Sequence, residues 1–150
     1  MEQGRVLPEP TELTRPYWEA FRSGELRLQY CGACRRFIHF PEPECPACGS
    51  GELGWKPVSG RGVVHTFSVV HRTFAPGFYD RVPYVVAWVE LEEQTGLRLF
   101  GNVLYTHPDD VRIGLPVEAV AEHLEGFGPV PNFRASHGAP REENQTWQTA

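Results

Sequence analysis

Two Cys-x-x-Cys turns, separated by ten residues, constrain the fold of this chain more than any other feature. They contain all four cysteines of the 150-residue sequence: Cys31, Cys34, Cys45 and Cys48. Two such turns, called knuckles here, can place four thiolates at the corners of a tetrahedron, and a glycine such as Gly49 admits the tight backbone. The spacing therefore predicts a metal site built into a small ribbon of strands.

The ligand set indicates what the metal does. Four thiolates close the coordination sphere, whereas a catalytic zinc ion keeps one position open for water. We therefore predict one structural Zn²⁺ ion per chain, with iron as the alternative metal that four thiolates also accept.

The N-terminal residues and the lack of long apolar runs bear on location. The first ten residues hold no apolar core of a signal peptide, and no apolar run approaches the ~18 residues of a membrane span. These features predict a cytoplasmic protein without a membrane partner. In a reducing cytosol, paired cysteines bind metal more often than they form disulfides.

The charge balance bears on partners. Fourteen Lys and Arg residues stand against 19 Asp and Glu residues, a formal net charge of −5, and four thiolates around one divalent ion would bring the net charge to about −7. Proteins that derive affinity from neutralising phosphates carry the opposite balance. We therefore expect no nucleic-acid partner.

A short helix is predicted before the first knuckle. Segment 14–24 has Pro16 in its first turn and Gly24 at its end, which suit the two ends of a helix. It carries three aromatic side chains: Tyr17, Trp18 and Phe21. Two interpretations stay open, in which the helix packs on its own domain or docks on a partner chain.

The rest of the chain reads as strands and turns. Segments 26–30 and 37–40 predict ribbon strands, and five β-rich runs follow Gly49, at 53–58, 63–71, 84–91, 97–105 and 117–124. Five short strands match an OB-fold barrel in number. We predict a mainly β fold with the helix and zinc ribbon in 1–52, the barrel in 53–125 and a Pro/Gly-rich tail in 126–150.

No catalytic motif is found. The sequence lacks a GxSxG elbow, an HExxH helix and a P-loop. A GxGxxG match at 49–54 leads out of a knuckle into a strand, whereas the dinucleotide fingerprint needs a strand before it and a helix after it. We expect no catalysis by this chain alone.

The segment 71–83 joins two predicted strands but is rich in aromatic and basic residues: Arg72, Phe74, Phe78, Tyr79 and Arg81. It either folds over one end of the barrel or contacts a flat ligand or a partner.

Taken together, the motifs resemble the DUF35 family. They are the aromatic helix, the two knuckles, Ser-Gly-Arg-Gly at 59–62, Val-His-Arg-x-Phe-x-Pro at 70–76, Val-Pro-Tyr-Val-Val-Ala at 82–87 and Asp-Val-Arg-Ile-Gly at 110–114. The resemblance covers residues 16–133 and implies a zinc ribbon followed by an OB fold. It also implies a non-catalytic companion of thiolase-superfamily enzymes, among them steroid side-chain aldolases of the lipid-transfer-protein type, degradative thiolases and an archaeal thiolase–synthase assembly.

The resemblance implies sites as well as a fold. It assigns the metal to the four cysteines and acyl-CoA contact to the barrel face and the 71–83 loop. On that basis the candidate acyl-CoA residues are Arg72, Arg81 and Arg98 for the phosphates, with Phe74, Phe78 and Tyr79 for the adenine. The candidate partner contacts are Tyr17, Trp18, Phe21, Phe127, Phe133 and Trp147.

These expectations define a first hypothesis and its competitors. In the first, the chain is an accessory subunit that stabilises a thiolase-fold enzyme and helps form its acyl-CoA site, within a hetero-oligomer that cleaves a CoA-thioester side chain by a retro-aldol reaction of the steroid-degradation type. The competitors are a subunit of a degradative thiolase, a free-standing acyl-CoA-binding protein and a nucleic-acid-binding ribbon/OB module.

Overall fold

The computed structural model describes residues 4–136, which form one short helix and eight strands. The elements are α1 Arg15–Arg22, β1 Arg27–Cys31, β2 Arg36–Ile38, β3 Leu53–Pro57, β4 Arg61–Val70, β5 Tyr84–Leu91, β6 Arg98–Leu104, a 3₁₀ turn at Pro108–Asp110, β7 Pro116–Leu124 and β8 Gly128–Ala135. The predicted mainly β class with a single short helix before the ribbon is confirmed. Trp147 and the rest of the predicted tail beyond residue 136 lie outside the described residues.

Helix α1 packs against its own domain. Pro16 lies in its first turn, and Gly24 follows its last turn with a φ of 89°, in the left-handed region that favours glycine. Phe21 is only 9% exposed and belongs to the main core. Within the described chain, no helix has the length and apolar character needed to cross a membrane.

The ribbon is a three-stranded antiparallel sheet in the order β2-β1-β3. The run at 53–58 was predicted as the first barrel strand, and this assignment is wrong. β3 pairs with β1 along its whole length, from Cys31↔Leu53 to Arg27↔Pro57. The reason is that the chain leaves the second knuckle beside the first, where the Gly32 N–H donates to the Glu52 carbonyl at 2.8 Å, and then returns alongside β1.

The barrel is closed in the order β4-β5-β6-β8-β7. Its inner face is clearest in β5, where every second residue is buried: Val85, Ala87, Val89 and Leu91. Leu28 of the ribbon joins the same core, so the ribbon and the barrel share one apolar interior.

The fifth barrel strand is β8, which lies in the segment predicted as a tail. β8 pairs with all of β7, but it pairs with β6 only at Val103↔Phe133 and Leu104↔Arg134. Pro129 and Pro131 lie on the stretch that has β7 as its only partner, so their missing N–H groups remove no bond to β6. The prolines suggest an irregular tail in the sequence, yet the fold accommodates them in a strand.

A side-chain amide fixes the ribbon to the barrel. Gln94, in the turn after β5, accepts a hydrogen bond from the Phe37 N–H at 2.8 Å and donates one to the Phe37 carbonyl at 3.1 Å. Gln29 makes the same pair of bonds with the backbone of Glu42, both at 2.8 Å. The second pair holds the loop after β2, called the ribbon tip (residues 39–41), over the barrel face.

Candidate zinc centre and ligand cleft

The four cysteine sulfurs form a compact cluster at the end of the ribbon. All four lie within 4.8 Å of one another, and the Sγ atoms are 3.7 Å apart for Cys31 and Cys48 and 3.6 Å apart for Cys34 and Cys45. A tetrahedral zinc ion with Zn–S bonds of about 2.3 Å requires sulfur–sulfur edges of about 3.8 Å. The cluster therefore fits a zinc ion without rearrangement.

The two knuckles share one backbone geometry. In each, the residue after the second cysteine donates its N–H to the carbonyl of the first cysteine at 2.8 Å: Arg35 to Cys31 and Gly49 to Cys45. Both residues are left-handed, with φ values of 57° and 76°. The sequence indicated this conformation for Gly49 but not for Arg35, where a non-glycine residue adopts it.

The knuckle backbone also favours the ionised form of a ligand. The N–H groups of Cys48 and Ala47 lower the pKa of the Cys45 thiol to about 6. Thiolates are the form that binds metal. With all four ligands supplied by protein, the zinc site is structural, as predicted, and its ion would contribute folding free energy rather than chemistry.

A second candidate site lies on the outer face of the barrel. In OB folds the face of the second and third strands, with the adjoining loops, is the usual ligand surface, and here those strands are β5 and β6. A cavity of about 470 Å³ lies over this face, between α1, the ribbon tip, the N-terminal residues and the end of β7–β8; it is called the OB cleft below. Its lining includes Arg5, Tyr17, Trp18, His39, Phe40, Phe78, Tyr84, Phe100, Asn102, Val130 and Asn132.

Aromatic rings form much of the OB cleft. The Phe100 ring lies 5.1 Å from the Trp88 ring, and the Phe40 ring at the ribbon tip lies 4.6 Å from His39 and 6.4 Å from Trp88. Phe40 and Phe100 remain 62% and 53% exposed. Exposed aromatic side chains clustered beside a cavity are typical of a binding surface.

One end of the OB cleft is polar and tightly bonded. The Glu122 carboxylate accepts hydrogen bonds from Arg5, from Arg81 at 3.1 Å and from Asn132 at 2.6 Å. The Arg5 guanidinium also lies over the Phe78 ring, 4.5 Å from its centre. Asn132 is the link to the strand face, because its Oδ1 accepts from the Asn102 N–H at 2.8 Å.

Two titratable rings of the cleft, those of Tyr17 and His39, are neutral at neutral pH. Burial raises the pKa of the Tyr17 phenol well above its ordinary value and lowers the pKa of His39 to about 4. Among residues 4–136, no hydrogen-bond partner of the Tyr17 hydroxyl is found. Neither of these two rings therefore carries a charge in the cleft, and the Tyr17 hydroxyl remains a donor.

The residues predicted to bind acyl-CoA divide into two groups within the 71–83 loop. Arg72, Phe74 and Tyr79 are exposed, and the Tyr79 hydroxyl donates to the Phe74 carbonyl at 3.0 Å. Phe78 and Arg81 fold inward to the polar end of the OB cleft. The loop therefore covers one end of the barrel in part, while its tip points outward.

The sixth predicted acyl-CoA residue lies elsewhere. Arg98 pairs with Glu90 at 3.3 Å, near the end of β5 opposite the 71–83 loop. The structure therefore does not bring these six residues together, and their contact with acyl-CoA stays a prediction. The reason is that the loop precedes β5, whereas Arg98 follows the turn after β5, so a strand length separates them.

The residues predicted as partner contacts are mostly internal. Phe133 is 1% exposed and lies in the main core with Phe21, so neither is available to a partner. Trp18 packs edge-on against Phe127, with ring centres 5.2 Å apart, and Tyr17 lines the OB cleft. The aromatic surplus of the helix is thus used within the domain.

The fold and the cysteine cluster define a zinc ribbon followed by an OB barrel. Two family models match the chain in succession: the ChsH2 rubredoxin-like zinc ribbon domain over residues 18–54 and the ChsH2 C-terminal OB-fold domain over residues 55–122. The chain is also 41% identical over 106 residues to a DUF35 domain-containing scaffold protein of Methanocaldococcus jannaschii, covering 69% of this chain and 70% of that protein. The chain therefore belongs to the DUF35 family.

Relatives and a solved structure extend this comparison. The chain is 38% identical over 130 residues to a probable enoyl-CoA hydratase alpha subunit of Thermomonospora curvata, covering 85% of this chain. It is 37% identical over 116 residues to the 3-oxo-4,17-pregnadiene-20-carboxyl-CoA hydratase alpha subunit of Mycobacterium tuberculosis, covering 76% of this chain. The chain spans only 38% and 35% of the lengths of these two relatives.

The solved structure agrees over the whole domain. A chain of the Ltp2-ChsH2(DUF35) aldolase matches with a TM-score of 0.78 and 34% identity. The match covers 87% of this chain and 100% of that chain.

Proposed function

We propose that this chain is a non-catalytic accessory subunit of a thiolase-fold acyl-CoA enzyme, and that the complex cleaves a CoA-thioester side chain by a retro-aldol reaction of the steroid-degradation type. The observation that carries this proposal is the match to the aldolase chain, which extends over that chain's full length at 34% identity. The hydratase alpha subunits support an acyl-CoA setting.

The chemistry of the chain agrees with an accessory role. The zinc centre is closed by four thiolates. In the OB cleft, burial lowers the pKa of His39 to about 4 and raises the pKa of Tyr17, so the first is a weak base and the second a weak acid. A retro-aldol step needs a base that removes the proton of a β-hydroxyl group while the Cα–Cβ bond breaks, and an acid that returns a proton to Cα. We assign both groups to the partner enzyme.

We assign partner contact to the tip of the 71–83 loop in place of α1. Phe74 is 92% exposed, and bonds within the loop hold its shape: the Ala75 N–H donates to the Thr73 hydroxyl at 3.1 Å, and Thr73 lies 3.2 Å from the Tyr84 hydroxyl. An aromatic side chain on a preformed loop is suited to be an interface hot spot, because little side-chain and loop entropy is lost on binding.

Phe74→Ala is expected to weaken association with the thiolase-fold subunit roughly thirtyfold, the effect of losing a hot spot of about 2 kcal/mol. The measurement is co-purification of the two co-expressed subunits, followed by titration of the purified pair. Zinc content and thermal stability should not change. Ile113→Ala is the control, because Ile113 is 69% exposed on a different loop.

Full association of the Phe74→Ala variant would contradict the loop assignment. A complex that consumes free CoA during cleavage would indicate the degradative thiolase instead of the aldolase, because thiolysis needs CoA as a reactant and the retro-aldol reaction does not. An isolated chain that turns over an acyl-CoA by itself would contradict the accessory role.

The nucleic-acid alternative makes a different prediction. Its ligand face would need exposed cations, whereas the OB cleft is lined by aromatic and aliphatic side chains and its Arg5 is bonded to Glu122. We expect no measurable binding of fluorescently labelled single-stranded DNA or RNA at low salt. Micromolar binding that weakens steeply as salt is added would restore that alternative.

A further inference from the structure

We infer that the OB cleft binds a flat, uncharged, ring-bearing apolar group that carries one hydrogen-bond acceptor, such as a carbonyl oxygen. Free ring ketones and ring-bearing acyl groups of CoA thioesters share this chemistry. The assignment to an acyl-CoA rests on the proposed function, whereas the inference that the cleft binds a ring does not. The inference replaces the expectation that arginines of this chain hold the phosphates of CoA.

The size and walls of the cleft suit a ring system. Its volume of about 470 Å³ is within the range of roughly 300–1,000 Å³ that small-molecule sites occupy. Phe100 belongs to the strand face, Tyr17 comes from α1, Phe40 comes from the ribbon tip, and Val130 contributes an aliphatic side chain. Aromatic side chains contributed by three elements favour flat ligands, because ring faces and edges pack closely against planar groups.

A donor lies beside this apolar space. The Tyr17 hydroxyl has no protein partner within residues 4–136, and it is not among the buried polar atoms that lack one, so it is accessible to a ligand or to water. It stays protonated, because burial raises its pKa, so it can donate to a ligand oxygen but does not attract a cation. A ligand acceptor that reaches this hydroxyl would take its hydrogen bond in place of water.

The polar end of the cleft does not favour a nucleotide. Arg5 and Arg81 both donate to Glu122, with side-chain exposures of 17% and 9%, so they form a structural ion-pair network. Phosphate groups are usually held by arginines whose bidentate faces are open to the ligand. The cleft thus favours the apolar part of a thioester over its CoA part.

The test uses the zinc-loaded, full-length chain without its partner and four probes: 2-naphthoyl-CoA, 2-acetonaphthone, decanoyl-CoA and CoA. Naphthalene is added for the variants as a ring without an acceptor. Calorimetry gives affinities, and quenching of tryptophan fluorescence locates binding, because Trp18 lines the cleft and Trp88 contacts Phe100. Both naphthyl probes are expected to bind at least tenfold more tightly than decanoyl-CoA, and CoA should give no measurable binding.

The two naphthyl probes separate the sources of the ring. Equal affinity for both probes indicates that the natural ligand is a free ring compound. At least a tenfold preference for 2-naphthoyl-CoA indicates a ring-bearing acyl-CoA. Both results support the inference that the cleft binds a ring-bearing group. The inference is overturned if CoA binds as tightly as 2-naphthoyl-CoA, if decanoyl-CoA binds as tightly as the naphthyl probes, or if no probe binds.

Matched variants test the residues. Phe100→Ala should weaken both naphthyl probes at least tenfold, whereas Phe74→Ala, which shortens an exposed phenylalanine away from the cleft, should change neither. Tyr17→Phe removes only the hydroxyl and should weaken 2-acetonaphthone roughly five- to tenfold, with no effect on naphthalene, which has no acceptor. An unchanged affinity of Tyr17→Phe for 2-acetonaphthone would overturn the role of the donor.

The failure of this inference differs from the failure of the proposed function. If the chain associates with a thiolase-fold subunit but binds none of the probes, the cleft assignment is wrong and the accessory role stands. If the probes bind and no such subunit associates, the accessory role is wrong and the assignment of the OB cleft as a ligand site is supported.

Discussion

Cys48→Ser is expected to remove the zinc ion and unfold the ribbon, and Cys34→Ser should do the same. Structural zinc sites bind with apparent free energies of about 10–16 kcal/mol. This is comparable to the whole free energy of unfolding of a typical domain, about 5–15 kcal/mol. Because Leu28 of β1 lies in the core shared with the barrel, the loss should extend beyond the ribbon. A colorimetric zinc assay and amide hydrogen exchange would measure both effects.

The control for this variant is Ala47→Ser, which introduces the same side chain into the same knuckle and keeps all four thiolates. It should retain one zinc ion per chain.

Acidification should release zinc from the native chain, because protons compete with the metal for the thiolates. A Cys48→Ser chain that folds fully with stoichiometric zinc would contradict the assignment of the ligands.

Phe133→Ala is expected to destabilise the isolated chain by about 3–5 kcal/mol, the usual cost of removing a large buried ring. For a domain of this size that loss lowers the midpoint of thermal unfolding by about 10–20 °C. The measurement is thermal denaturation of the zinc-loaded variant, followed by circular dichroism. Phe100→Ala, on the neighbouring strand but 53% exposed, should change the midpoint little.

This experiment separates two roles of Phe133. A partner contact, as the sequence suggested, would leave the thermal midpoint of the isolated chain unchanged and affect only association. A core residue lowers the midpoint with no partner present. An unchanged midpoint would show that the barrel closes without the Phe133 ring.

The zinc centre was predictable because its information is local. Four identical ligands at fixed spacing specify the metal geometry whatever the surrounding fold does. Most of the strands were predictable for the same reason, since alternation and turn residues act over a few positions. β5 was predicted with its observed bounds, Tyr84–Leu91.

The two wrong strand assignments arose where partners decide the structure. The run at 53–58 has the composition of a strand, but only pairing with β1 places it in the ribbon. β8 has the composition of a tail, and pairing with β7 makes it a strand. Neither pairing follows from local propensity, because strand preference depends on the neighbours that a strand meets.

The OB cleft was missed because it is assembled from distant segments. Tyr17, His39 and Phe100 come from the helix, the ribbon tip and the third barrel strand, and no spacing rule connects them. One signal was available in β5, where the outward residues Tyr84, Val86 and Trp88 are apolar as well as the inward ones. A strand that is apolar on both faces is covered on both faces or carries a binding surface.

The position of β8 between β6 and β7 sets an order for folding during synthesis. Before β8 leaves the ribosome, the only barrel strand with which β7 can pair is β4, at residues 61–63. The zinc knuckles and all three ribbon strands lie within residues 27–57 and are complete much earlier. The ribbon can therefore take up its metal while the nascent barrel is still open, and ring closure waits for the residues up to 135.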